Sequence, residues 1–395
     1  MKITFLNTSK DVHVYIKRNI HYSIKTEDVS KIVPSFAIKF EGFLEKNVLE
    51  NAARFGVFCH NQGKYAFVIG NKFGIFELLK ATKPKIAKEL IKHIINFGKE
   101  HRYNISYNTK VLHLSDMKPL VMGVINITKD SFYAPSRVDE KDILFRVEEF
   151  IKEGADIIDI GAQSTRPGAE EISSEEEVRK LLEPLRKIRK EFKNVWISID
   201  TYFSNTARVC LEEGADIIND ISGGVFDDDI LKTIAVYNCP YIIGHSSSYK
   251  PNQWPHTDFE YEDITLEIIN HFKSQETKLL ELGYNLFNGI IIDPCIGFAK
   301  KPMHNLEILN QIEALRSLDR PILIGTSRKS FIGIVIKEFL QKESIPAPEQ
   351  RLVGSLGSIA QSITKNACHI VRTHDVATTK EFIALLDAIR NYHYA

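Results

Sequence analysis

From Leu120 onward the chain alternates short runs of Val and Ile with longer segments whose apolar residues recur every three or four positions. Continuous apolar runs of that length suit strands buried on both faces, and the intervening period suits amphipathic helices. The predicted strands are LVMGVIN (120–126), DIIDIGA (156–162), WISID (196–200), DIINDI (216–221), YIIGH (241–245), GIIIDP (289–294), PILIGT (321–326) and HIVRTH (369–374). Predicted helices cover 139–154, 174–192, 204–213, 227–237, 260–283, 303–316, 330–365 with a break near Pro346 and Pro348, and 376–390. Eight strands, each followed by a helix, predict an α/β fold closed as a (β/α)8 TIM barrel rather than an open doubly wound sheet. Twice, at 153–156 and 213–216, a helix ends in Glu-Gly-Ala-Asp before a strand begins, with the glycine suited to a left-handed helix cap.

Before residue 116 that rhythm is missing, and the pattern predicts a small α+β domain over 1–116 ahead of a barrel over 117–395. Its strands are expected at 11–16, 35–41 and 65–71 and its helices at 43–55 and 84–101. The last of these aligns Ile86, Leu90, Ile91, Ile94 and Phe97 on one stripe, which reads as core. Asn104 to Met117 reads as the link between the domains.

Length and composition agree with this picture, since a barrel takes about 250 residues of the 395 present. Lys and Arg total 51 and Asp and Glu total 51, so there is no global field to draw in nucleic acid or an anionic membrane. Any anionic ligand must be held locally. The cysteines Cys59, Cys210, Cys239, Cys295 and Cys368 form no CxxC pair, which favours reduced thiols in the cytoplasm over a disulfide framework or a zinc site. The N-terminus lacks a secretory pattern and no run reaches the ~18 apolar residues of a membrane span.

Polar residues close the apolar runs at Asn126, Asp200, Asn219, Asp293 and His374, and the C-terminal strand ends are where barrel active sites are assembled. Each alone reads equally well as a cap or turn residue. Five from five strands converge on one mouth. A carboxylate such as Asp293 suits the paired N–H groups of an amidine-like heterocycle edge, and Asn219 offers both donor and acceptor beside it. Lys329 and Arg372 bring cations suited to phosphate oxygens, and GTSRKSF (325–331) sets a basic, hydroxyl-rich turn at a helix start without the spacing of a P-loop. His245 reads as a ligand, a base or a structural histidine. No spacing of His, Cys or carboxylates dictates a protein-bound transition metal.

In order and strand position, MGVINITKDSF, GADIIDIGAQSTRPGA, ISIDTY, GADIINDISGG, IIIDPCIGFAK, ILIGTSRKSFIG and VRTHD resemble the dihydropteroate synthase family, over roughly residues 119 to 390. The resemblance implies a folate-biosynthesis transferase that joins 6-hydroxymethyl-7,8-dihydropterin diphosphate to 4-aminobenzoate with Mg2+. It assigns pterin binding to Asp200, Asn219, Asp293 and Lys329, and diphosphate binding to Asn126, Arg372 and His374, with Asn126 also the Mg2+ contact. It assigns aminobenzoate binding to Thr165, Pro167 and Ser330, with Arg166 between the first two. Asn126, Asp200, Lys329, Arg372 and His374 form the implied catalytic set, and a homodimer through the seventh and eighth helices is implied as well.

The chain departs from the family pattern in its first loop, at Lys129 and at Ala134-Pro135-Ser136, and again at Gln163, Gly244 and Cys295, which stand where Glu, Met and Gly are usual. Two other readings share the Asp and Asn strand ends: a methyltetrahydrofolate-dependent corrinoid methyltransferase and a pterin-binding barrel without turnover. The methyltransferase has no need of TSRKSF or VRTHD, and no DxHxxG cobalamin motif is present.

Overall fold

The β-branched runs form the strands their composition predicts. A computed structural model describes residues 3–6, 36–70, 72–84, 87, 90–91, 101–127, 142–163, 171–256, 259–286 and 289–390. By spatial proximity these divide into two units, one of 1–100 with 263–270 and 310–319, the other of 101–262, 271–309 and 320–395.

The larger unit holds eight parallel strands: β7 (Leu120–Asn126), β8 (Ile157–Gly161), β9 (Trp196–Asp200), β10 (Ile217–Asp220), β11 (Tyr241–Gly244), β12 (Ile290–Asp293), β13 (Leu323–Ile324) and β14 (Ile370–Thr373). Neighbours follow chain order from β7 to β12, and β14 pairs with both β7 and β13. A parallel bridge between Ile292 and Ile322, with the Ile292 N–H donating to the Pro321 carbonyl at 2.9 Å, closes the ring. The TIM barrel is therefore present.

Its helices Ile143–Lys152, Ser174–Glu191, Ser204–Glu212 and Ile230–Tyr237 lie side by side in sequence order. Pro302–Asn310 continues as a 3-10 turn over Ile312–Leu318, and Ser330–Phe339 and Leu352–Thr364 flank the expected break. Gly154 and Gly214 take φ of +93° and +98°, so both Glu-Gly-Ala-Asp segments turn as predicted. Each then ends in an aspartate that accepts an N–H from the preceding strand, Asp156 from Val121 at 2.8 Å and Asp216 from Ile197 at 2.9 Å.

The reading of Asn104 to Met117 as a link is overturned. An antiparallel hairpin, β5 (Arg102–Tyr107) and β6 (Lys110–Ser115), turns at Asn108 and Thr109, with Asn108 at φ +51°. Its Ile105, Leu112 and Leu114 pack in one buried cluster with Met122, Ile157, Trp196, Ile217, Ile242, Ile291, Leu323 and Ile370, one residue from every barrel strand. The hairpin thus floors the barrel at the end where the strands begin. Lys110 fastens it there, donating to both carboxylate oxygens of Asp216 at 2.9 and 2.8 Å and to the Val195 carbonyl at 2.9 Å. Because Ile105 is 2% exposed, Ile105→Ala is expected to remove about 2–5 kcal/mol of stability, read as a lower midpoint in urea. An unchanged midpoint would show that the hairpin does not support the barrel.

The smaller unit carries an antiparallel sheet of β1 (Ile3–Leu6), β2 (Phe36–Glu41), β4 (Tyr65–Gly70) and β3 (Val57–Gln62), in that order, with helices Lys46–Asn51 and Lys72–Thr82. Ile38, Val48, Val68, Ile75 and Leu78 are among its buried residues. Strands β1 and β3 and helix Lys72–Thr82 are additions to the expected set. The expected strand at 11–16 and most of the expected helix at 84–101 lie outside the described residues.

Candidate active site

Side chains along a strand alternate, so the residue two steps beyond a floor residue again faces the barrel interior. Two steps beyond Ile157, Trp196, Ile217, Ile291 and Ile370 stand Asp159, Ser198, Asn219, Asp293 and Arg372. Continuing upward from three of the strands come Asn126, Asp200 and His374. A polar tier thus sits directly on an apolar floor.

The members of this tier hold one another. Arg372 donates through Nε to Asp159 Oδ2 at 2.7 Å and through Nη2 to Asp200 Oδ2 at 2.5 Å. The Asn219 amide donates to the same Asp159 oxygen at 3.2 Å. Asp293 accepts the Cys295 N–H at 2.7 Å. Lys329 donates to the Ile296 carbonyl, and its ammonium lies 3.9 Å from the centre of the Phe298 ring. His374 meets Ser327 twice, backbone N–H to Oγ at 3.3 Å and Nδ1 to Oγ at 3.0 Å. Structure therefore brings Asp200, Asn219, Asp293, Lys329, Arg372 and His374 to one mouth. Asn126 ends β7 beside Gly161, and Ser330 opens its helix exposed to solvent. Thr165, Arg166 and Pro167 lie outside the described residues, as do Lys129 and the 134–136 turn.

Burial sets the protonation of these groups. It raises the carboxyls of Asp200 and Asp293 above their ordinary values, opposed by Arg372 at Asp200 and by Lys329 at Asp293. It pushes Lys329 down to about 8, with Asp293 acting the other way. It pushes His374 down to about 3, reinforced by the charge of Arg372, so this imidazole is neutral at neutral pH. His245, an open candidate in the sequence, is likewise driven well below its ordinary range by burial, and its ring stands edge-on to His271 at 5.2 Å.

Two atoms of this tier, Asp159 Oδ1 and Ser198 Oγ, are buried with no hydrogen-bond partner among the described residues. An orphaned polar atom in a dry interior costs about 1–3 kcal/mol. Both leave the tier with polar capacity that a bound ligand can satisfy.

Sequence reasoning missed Asp159 and Lys300. The first lies inside a strand rather than at its end. Lys300 donates to the carbonyls of His245, Phe298 and Cys295 at 2.9, 3.0 and 3.3 Å, fixing the loop after Asp293, and burial pushes it down to about 8. Tyr202, Ile221, Trp254, Cys295, Phe298 and Ala299 cluster as an apolar wall on the same side as Lys329.

Three departures noted in the sequence have local explanations. A Cβ on Gly244 would lie 2.5 Å from the Asp220 carbonyl oxygen and 2.6 Å from the Ile221 backbone, so no side chain fits there. Cys295 fills space on the other side of that turn, its thiol 3.7 Å from the Ile221 carbonyl, while holding a left-handed φ of +48° that a glycine adopts more easily. Gln163 Oε1 accepts the Ile172 N–H at 3.1 Å.

The pterin binding enzyme family matches residues 122–374. A dihydropteroate synthase of Clostridium beijerinckii is 37% identical over 270 residues, covering 68% of this chain and 93% of that protein. Among solved structures, a dihydropteroate synthase of Yersinia pestis in a sulfonamide drug complex superposes with a TM-score of 0.66 at 28% identity, over 73% of this chain and all of that one. A Xanthomonas albilineans dihydropteroate synthase with 4-aminobenzoic acid superposes with a TM-score of 0.63 at 27% identity, over 74% of this chain and 100% of that one. With these likenesses spanning the barrel and its polar tier, the chain belongs to the dihydropteroate synthase family of pterin binding enzymes.

Proposed function

We propose that the protein is a dihydropteroate synthase, an alkyl-group transferase that condenses 6-hydroxymethyl-7,8-dihydropterin diphosphate with 4-aminobenzoate to 7,8-dihydropteroate and diphosphate in folate biosynthesis. The observation that carries this reading is the buried polar tier, in which carboxylates and an amide sit beside two cations above an apolar floor. Asp200, Asn219, Asp293 and Lys329 are assigned to the pterin, whose N–H-rich edge suits paired carboxylates. Arg372, His374 and Asn126 are assigned to the diphosphate. Thr165, Arg166, Pro167 and Ser330 are assigned to the aminobenzoate.

The bond from the pterin methylene carbon to the diphosphate oxygen breaks, taking its electron pair onto the diphosphate. The aminobenzoate nitrogen then forms the new bond to that carbon and releases a proton. No enzyme nucleophile is needed. Arg372 supplies positive charge where negative charge develops on the leaving group. His374, neutral because burial holds it near 3, serves as a hydrogen-bond partner there rather than as a cation. The aromatic wall of Tyr202, Trp254 and Phe298 shields one side of the site from water.

Mg2+ belongs to the same reading. Among the described residues no group of three His, Cys, Asp or Glu is placed to hold a metal. The Asn126 side-chain amide oxygen would be the protein contact for the ion. When bound, it would neutralise charge on the diphosphate.

A homodimer through the last helices is supported by Phe339, Leu340, Val353, Leu385 and Ile389, which are large, apolar and exposed. A cytoplasmic setting is supported by the five free cysteines. No helix among the described residues is long and apolar enough to cross a membrane.

The test is direct. Purified protein given Mg2+ and the pterin diphosphate should release diphosphate only when 4-aminobenzoate is added, and should transfer no methyl group from methyltetrahydrofolate to a corrinoid. Tight binding of the pterin diphosphate with no release would instead identify a pterin-binding barrel without turnover.

A further inference from the structure

Asp159 has no part in the reaction set out above, yet both Arg372 and Asn219 hold on to it. Its side chain is wholly buried on β8, inside the barrel rather than at the strand's end. Oδ2 takes two hydrogen bonds, from Arg372 Nε at 2.7 Å and from Asn219 Nδ2 at 3.2 Å. Oδ1 is buried without a hydrogen-bond partner among the described residues. Arg372 gives its second bond to Asp200, through Nη2 at 2.5 Å. Nε and Nη2 form one edge of the planar guanidinium, so two separate carboxylates grip that single edge. The N–H groups of Nη1 remain on the other side, available to an anion. Two buried negative charges against one positive charge also temper the attraction of Arg372 for a further anion, because charges act strongly on one another where water is excluded.

We propose that Asp159 is a positioning residue for Arg372 and Asn219. It fixes the guanidinium by one edge so that the other faces the diphosphate. Its charge keeps Arg372 from holding the released diphosphate too tightly. By accepting from Asn219 Nδ2 it also turns the Asn219 carbonyl oxygen outward, as the amide atom offered to the pterin. This assignment rests on reading Arg372 as the diphosphate-binding arginine.

The test titrates inorganic diphosphate into the full chain as wild type, Asp159→Asn and Asp159→Glu, alongside steady-state kinetics. Asp159→Asn keeps the shape and removes the charge. It should bind diphosphate about tenfold tighter while kcat falls at least about tenfold and the KM for 4-aminobenzoate stays near wild type. A merely structural lesion weakens binding instead. Asp159→Glu, which restores the charge, should return diphosphate affinity to within about threefold of wild type. Unchanged or weaker diphosphate binding by Asp159→Asn, or Asp159→Glu behaving like Asp159→Asn, overturns the proposal.

If Asp159→Asn does not fold, the wild type still decides the matter. With 15N-arginine labelling and assignment through Arg372→Lys, the Arg372 Nε–H should stay protected from exchange with and without diphosphate. Loss of that protection on binding overturns the role of Asp159. Absence of any diphosphate binding by the wild type refutes the reading of the site itself, and this proposal with it, a result distinct from unchanged affinity in the variant.

Discussion

Arg372→Ala is expected to lower kcat/KM by about 10²–10³-fold and to destabilise the fold at the same time. The two losses share one cause. Arg372 is the only described residue that forms an ion pair with Asp159 or Asp200, at 2.7 and 2.5 Å. On the assignment of Arg372 to the diphosphate, removing it takes away the leaving group's charge partner, and it leaves two carboxylates in the barrel interior without a cation. Breaking a buried pair from one side costs about 3–5 kcal/mol. Protonation limits that loss, which gives the prediction a sign. Without the guanidinium, the Asp200 carboxyl, already raised by burial, rises further above its unfolded value, so the folded variant binds more protons than the unfolded chain over the interval between those values. The stability deficit is therefore largest at neutral pH and shrinks as pH falls toward about 4, near the ordinary aspartate value. Thermal midpoints of wild type and variant, compared from neutral to acid pH, read this directly. A variant with near wild-type turnover, or a deficit that grows toward acid pH, contradicts the assignment.

The second large effect concerns Lys329. Burial holds its ammonium down at about 8, so the cation is present at neutral pH and is lost as pH rises through that value. Because kcat/KM follows the titration of the free enzyme, it should fall about tenfold per pH unit above about 8. Lys329→Arg keeps a charge that does not titrate in this range. It should abolish the alkaline limb even though its planar fork fits the Phe298 face and the Ile296 carbonyl less well. Lys329→Ala should flatten the limb too and weaken pterin diphosphate binding by about 1.5–3 kcal/mol, the worth of a hydrogen bond to a charged group. Burial also holds Lys300 at about 8, so the variants separate the two lysines. An alkaline limb that persists in Lys329→Arg belongs to another group.

The barrel was legible because each strand is a β-branched run too short for a helix, and because five such runs end in an unexpected polar residue. Asp200, Asn219 and Asp293 could be found on that signal alone. Asp159 escaped it by lying at the centre of DIIDIGA, where only strict alternation from Ile157 reveals that it faces inward. The hairpin escaped for a different reason. Its strands RYNISY and KVLHLS mix polar and apolar residues, as a strand with one wet face must, and so read as irregular. The available clue was Asn108, a residue type that tolerates the left-handed conformation of a two-residue turn. The split of 330–365 into two helices was announced by its prolines, whereas the 3-10 continuation after Asn310 has no comparable mark in the sequence. In the smaller unit, VFCHNQ lacks the apolar alternation of a half-buried strand, and its pairing with β4 across Gly63 and Lys64 emerges only in the sheet.

The hairpin of β5 and β6 has one more implication. With Ile105, Leu112 and Leu114 stoppering the barrel from beneath, the site is a blind well and not a tunnel. Everything that reaches the level of Asp159 and Asp293 must come in and go out by the same rim. Diphosphate cannot be expelled downward while the second substrate arrives from above, so the two share a doorway and their traffic is sequential. Passage through that single rim then sets a ceiling on turnover however fast the bond changes below it.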